Sequence, residues 1–244
     1  MGQKVNPVAF RVGVYEGWKS RWYAPKREFA TLLVEDKKIR DYIKKHKVKE
    51  GERKGELSFP GVAKIEIERT RDEVRVIVTT ARPAAIIGKS GQRVEELQAE
   101  LQNLTGRRIN LKIEEEKNPE LVAQLVAEDI GDQLVKRAGF RRVMKRAMAN
   151  AMEKEKGAKG IKIQLSGRLG GAEMARREKQ SQGSIPLSTL RAKIDYGFHE
   201  AKIAQGHIGI QVWINQGEYS EDDNNGENAE KGFTPKNTTR AYKR

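Results

Sequence analysis

The sequence predicts an α+β protein in two parts, each with helices laid against a sheet. Three observations carry this. Apolar residues recur at helical spacing in some stretches and alternate strictly in others. A charged, proline-bearing stretch, EEEKNPE (114–120), separates two such sets. At 244 residues the chain is long enough for each set to enclose its own core. The organisation expected is an N-terminal arm (1–25), a first domain (26–117), a second α+β domain of two helices on an antiparallel sheet (118–217), and a tail (218–244).

The arm is basic and carries Trp18, Trp22 and Tyr23 close together. Packing on the following domain and stacking on RNA both suit those rings. From Glu28 to Lys45, Phe29, Leu32, Leu33, Ile39 and Ile43 follow helical spacing. GERKGELSFPG (51–61) then breaks the pattern with Gly and Pro. Two alternating runs, Ala63, Ile65, Ile67 and Val74, Val76, Val78, flank the polar RTRDE and predict a β-hairpin. A short helical turn, Ala84 to Ile87, leads to the loop Gly88-Lys89-Ser90-Gly91. An amphipathic helix follows, with Val94, Leu97, Leu101 and Leu104 on one stripe and Gly106 as its C-terminal stop. Ile109, Leu111 and Ile113 form a closing strand.

In the second part, Leu121 to Lys136 is helical, with Gly139 terminating or kinking it. Phe140, Val143, Met144, Ala147, Met148 and Ala151 then trace a single apolar helix face. Alternation of Ile161, Ile163, Leu165 and of Ile208, Ile210, Val212, Ile214 predicts two strands, and TLRAKIDYGFHEA (189–201) a third. Beyond Gly217 the sequence is acidic and rich in Asn and Gly, which predicts a disordered tail.

Composition narrows the partners. Lys and Arg number 48 against 34 Asp and Glu, a net charge of +14, which favours nucleic acid or an anionic membrane surface. There is no cysteine, so disulfides and thiol chemistry are excluded. No apolar run reaches membrane-spanning length, and the start MGQKVNPVAFRVG lacks a signal-peptide core. Asn6 stands where a myristoylation signal needs Ser or Thr. His46, His199 and His207 have no metal-ligand spacing, and no nucleophile–base pair has a local signature. Neither an enzyme nor a cofactor nor a metal is expected.

Gly88-Lys89-Ser90 suggests a nucleoside triphosphate loop, but the first glycine of that motif falls on Pro83. Proline lacks the N–H that the anion nest needs. The same residues suit a different task. A Gly-x-x-Gly loop between two helices lets an RNA backbone come close, because neither glycine has a Cβ. The next helix turns its N-terminal amides toward phosphate, and Lys89 and Arg93 add positive charge. This is the clamp of a KH domain, and helix-strand-strand-helix-helix-strand (αββααβ) is the type II KH order. A plain helix corner with solvated side chains is the alternative. Between Ile43 and Gly139 the sole aromatic is Phe59, so this domain is expected to hold backbone and shape rather than stack bases.

The apolar face of the helix from Phe140 pushes Arg141, Arg142, Lys145 and Arg146 to the opposite side, with no acid before Glu153. Like charges four residues apart repel; an RNA partner offsets that through counterion release. An ordinary solvated face is the other reading. SGRLGGAEMARREK (166–179) reads as a glycine turn, with Arg168, Arg176 and Arg177 as further RNA-contact candidates. Lys4 and Arg11 in the arm complete that set.

Several ordered stretches carry a resemblance: MGQKVNP, SRWYA, IIGKSGQRVEEL, FRRVMKRAM, GAKGIKIQLSGRLGGAEMAR and PLSTLRAKIDYGFHEA. Together they resemble the bacterial-type small-subunit ribosomal protein S-three family from Met1 to about Glu218. PVAFRVG stands where the family's P-x-GFRLG is expected, and the tail lies outside the shared pattern. The resemblance implies a cytoplasmic, ribosome-bound protein of the small-subunit head. Its partners would be ribosomal RNA, mRNA and neighbouring head proteins, with no membrane. It also implies that Arg141, Arg142 and Lys145 face incoming mRNA. A free KH-type RNA-binding regulator or chaperone is the alternative function.

Overall fold

The computed structural model describes residues 4–45, 61–70, 73–88, 91–153 and 157–219. Lys89, Ser90, His46, Phe59 and the tail from 220 onward lie outside them.

The first half opens with α1 (Pro7–Arg11) and β1 (Ser20–Arg21), followed by the long helix α2 (Lys26–Lys45). The hairpin β2 (Val62–Arg69) and β3 (Glu73–Thr80) comes next. It leads through α3 (Pro83–Ile87) and α4 (Gln92–Thr105) to β4 (Arg108–Glu115). β2 and β3 are antiparallel. β4 lies parallel to β3, which the long connection through two helices allows. β1 adds to the other edge, parallel to β2. Ile39 and Ile43 of α2 and Leu97 and Leu101 of α4 close over Ile65, Ile67, Val74, Val76, Val78 and Ile109.

Three details depart from the periodic reading. The β2–β3 register slips between Val62 and Lys64, so Ala63 is the bulged residue and Val62 is the one buried. On α2 the inward stripe is Leu32, Asp36, Ile39 and Ile43, while Phe29 and Leu33 are exposed. Leu104, at the end of α4's stripe, is also exposed. Asp36 can sit inside because it is fully bonded. It accepts from Ser20 Oγ at 3.0 Å and Trp22 Nε1 at 2.8 Å, and pairs with Arg69. A buried carboxylate is tolerated only with such partners.

The second half contains α5 (Ala123–Val135) and α6 (Phe140–Ala151). Its strands are β5 (Gly160–Gly167), β6 (Arg176–Gly183), β7 (Ala192–Ile203) and β8 (Gly206–Glu218). They form an antiparallel sheet in the order β6-β5-β8-β7. Both helices cover one face of it. Ile130, Leu134, Val143, Met144 and Met148 meet Ile161, Ile163, Leu165, Ile210 and Val212 there. The chain turns from α5 at Arg137, whose φ is +61°, and Gly139 begins α6 rather than ending α5. β6 was not legible as a strand, because RREKQSQG has no apolar alternation. It is an edge strand, and polar edges resist pairing with other chains.

The described part of the arm, residues 4–25, is held by both halves. β1 extends the first sheet. α1 is fastened to the start of β7 by Arg11, which is completely buried. Arg11 is therefore corrected as an RNA-contact candidate: its guanidinium bonds to protein carbonyls and none of it reaches the surface. Among the described residues no helix is long and apolar enough to cross a membrane, and no group of three or more His, Asp or Glu could hold a metal ion.

Candidate nucleic-acid interface

The loop corner is built by two short-range constraints. Pro83 opens α3, where its missing N–H is no loss. Gly88 ends it with φ +69°, ψ −169°, and its N–H bonds to Ala84 O at 3.0 Å. Gly91, at φ +82° in the left-handed region, starts α4. The two glycines thus stand in conformations that side chains disfavour. Arg93 folds back over Gly88 and donates from Nη1 to Ala85 O at 3.2 Å. It braces the α3–α4 corner, a role its sequence position did not reveal.

Among the described residues, α6 gathers four exposed cations within two helical turns. Val143, Met144, Met148 and Ala151 are buried against the sheet, and Arg141, Arg142, Lys145 and Arg146 are exposed on the far side. Strand alternation sends Arg176 to the helix-bearing face and Arg177 to the opposite one. The structure therefore brings Arg176 to α6 and takes Arg177 away from it. Glu178 lies between Arg141 and Arg176, at 3.6 and 3.7 Å. Surface pairs of this length add little stability and leave the cluster with a surplus of cations. Arg168 is half-buried and occupied: Nε donates to Ala172 O at 2.9 Å and Nη1 to Gln205 O at 3.2 Å, which ties down the glycine turn.

A second basic locus lies on the outer face of the second sheet. Register aligns Ser181, Lys162 and Trp213 across β6, β5 and β8. Lys162 Nζ stands 4.8 Å from the Trp213 ring centroid. Burial lowers its pKa below the ordinary lysine value, and the neighbouring charges of Lys4 and Lys179 add to the effect. The arm residue Lys4 is thus placed beside Lys162. Lys162 and Lys179 escaped the sequence reading because their proximity depends on recognising β6.

A Gly-x-x-Gly corner on an αββααβ unit, joined to a domain with a basic helix face, defines a KH-type RNA-binding protein. Residues 38–121 match the KH domain family, and residues 130–214 match the family described as "Ribosomal protein S3, C-terminal domain". A Rhodopirellula baltica protein named "Small ribosomal subunit protein uS3" is 66% identical over 244 residues, 100% of both chains. Proteins of the same name from Desulforudis audaxviator and Lachnoclostridium phytofermentans are 51% and 52% identical over 218 residues, covering 89% of this chain and 94% of each relative. The chain belongs to the ribosomal protein S3 family.

Proposed function

We propose that this chain is a structural constituent of the small ribosomal subunit head, in the cytoplasm, and not an enzyme. It binds ribosomal RNA, adjoins neighbouring head proteins, and lines the channel by which mRNA enters. Gly88, Lys89, Ser90 and Gly91 present backbone and charge to RNA at the KH corner, with Arg93 holding that corner in shape. Arg141, Arg142 and Lys145 face mRNA, and Arg146, Arg168, Arg176, Arg177 and Lys4 are additional RNA contacts. No cofactor is required.

The single observation that supports mRNA contact most is the exposed basic face of α6, with no acid of its own helix to neutralise it. Such a face grips phosphate by electrostatics and releases it as the strand advances, because no base edge is read. The test is binding of single-stranded RNA to the full chain at several salt concentrations. Replacing Arg141, Arg142 and Lys145 by Ala is expected to reduce the slope of log affinity against log salt by about two to three units. An unchanged slope would remove α6 from the RNA path.

A further inference from the structure

At the N-terminal end of α6 the basic face borders a shallow depression, open to solvent, of about 520 Å³, lined by Gly139, Phe140, Arg141, Arg142 and Arg176. Its volume falls in the roughly 300–1,000 Å³ range of small-molecule sites. Its wall is mainly apolar, although three of its five residues are arginines. The Phe140 ring and the methylene stems of the arginines account for this. The ring is only partly buried, and the guanidinium carbons of Arg141 and Arg176 each lie 5.6 Å from its centroid. Gly139 contributes no side chain, and a Cβ added there would meet nothing within 4 Å.

An aromatic ring, planar guanidinium groups and an open apolar space under a cationic rim are the chemistry of a nucleobase with its phosphate. A metabolite anion would need polar walls, and an apolar peptide would not call for three cations. We infer that this depression takes one unpaired base of a single-stranded RNA, stacked on Phe140, while Arg141, Arg142 and Arg176 hold the adjoining phosphates. The inference rests on the proposed role of α6 and adds to it an aromatic platform, which the described residues around the Gly88–Gly91 corner, 61–70, 73–88 and 91–115, lack. A base within a duplex stays stacked on its neighbours and does not enter, so the site distinguishes single-stranded from paired RNA without reading sequence.

The test uses the full chain and a single-stranded oligoribonucleotide carrying 2-aminopurine, whose fluorescence is quenched on stacking. Wild-type protein is expected to quench it. Phe140→Leu should abolish the quench and weaken binding about 5- to 160-fold, the range for one lost base–aromatic stack. The salt slope should stay unchanged, because no phosphate contact is lost. Phe140→Trp should restore both quench and affinity. Gly139→Ile is an independent probe. Gly139 has φ −65° and ψ 116°, a backbone that any residue adopts. The larger side chain projects into the open space without displacing Phe140 and should lose the quench with the fold retained; the melting temperature should fall only modestly, because Ile caps a helix less well than Gly. Binding to fully paired RNA should be the same in all four proteins. Absence of quenching in the wild type, or equal losses for single-stranded and paired RNA, overturns the stacking site. Either result with a normal salt slope leaves the electrostatic role of α6 standing; loss of that slope is the failure of the broader reading.

Discussion

Arg11 and Ala192, 181 residues apart, are joined by a buried hydrogen bond of 2.5 Å from the arginine Nε to the alanine carbonyl. Nη1 donates to Pro7 O at 2.8 Å and Nη2 to Thr189 O at 2.7 Å. Burial draws the guanidinium below the usual arginine pKa, while Tyr219 and Glu16 act in the opposite direction. One side chain thereby ties α1 to the start of β7. Hydrogen bonds from charged groups contribute about 1.5–3 kcal/mol each, so Arg11→Met is expected to lower stability by several kcal/mol. Thermal unfolding measures this. The salt slope of RNA binding should not move, because Arg11 meets no phosphate; a reduced slope with normal stability would contradict its structural role.

Gly197 sets the seat of α5. A Cβ there would lie 2.2 Å from the carbonyl oxygen of Ala123, a backbone atom that cannot swing aside. The Asp195 carboxylate accepts from Ala123 N–H at 2.7 Å and holds that helix start against β7. Overpacking usually costs about 1–3 kcal/mol, and a backbone obstacle puts Gly197→Ala at the upper end or beyond. Denaturant unfolding should show the loss. A neutral result would mean that α5 can lift from the strand without consequence.

Lys162 gives a pH test. Its folded-state pKa is depressed by burial first, then by Lys4 and Lys179. The unfolded chain therefore binds more protons here than the folded one just below the ordinary lysine value, and stability from this group rises with pH across that window. At neutral pH its charged form opposes folding. Lys162→Gln should gain on the wild type at neutral pH, and the difference should shrink as pH climbs toward the lysine range. Melting temperatures across alkaline pH check the sign; a gap that widens would exclude the depressed pKa.

How much of this was legible in the sequence depended on whether local pattern or distant pairing placed the residue. α6 was legible almost residue by residue, because one apolar stripe dictates which arginines are left outside. The Gly88–Gly91 corner was legible because Pro83 and two glycines constrain the backbone locally. Asp36, Arg11 and Phe140 were not. Charged residues read as surface until Trp22, Arg69, Ala192 and Thr189 arrive from elsewhere to bond them. Phe140 read as core because periodicity reports which face a side chain is on, not whether the ring's edge is covered. Arg176 and Arg177 looked equivalent, and only the β5–β6 register assigns them to opposite faces.

The two glycines of the loop corner should respond differently to substitution, and that difference separates grip from scaffold. Gly88 is confined: a Cβ would stand 2.7 Å from Cγ and Cδ of Arg93, at a φ of +69°. Gly88→Ala must displace Arg93 from Ala85 O and should destabilise the corner. Gly91 also has positive φ, at +82°, but nothing lies within 4 Å of a Cβ there. Asp tolerates this backbone region better than most residues. Its carboxylate at the start of α4 is also favoured by the helix dipole. Gly91→Asp should therefore lower the melting temperature less than Gly88→Ala, although the left-handed backbone still carries some strain. It nevertheless sets a negative charge where an RNA backbone would approach, so RNA affinity of the full chain should fall, most steeply at low salt. If affinity holds while the fold holds, Gly88–Gly91 serves only to turn α3 into α4, and the RNA contacts of this chain lie with Arg141 and its neighbours.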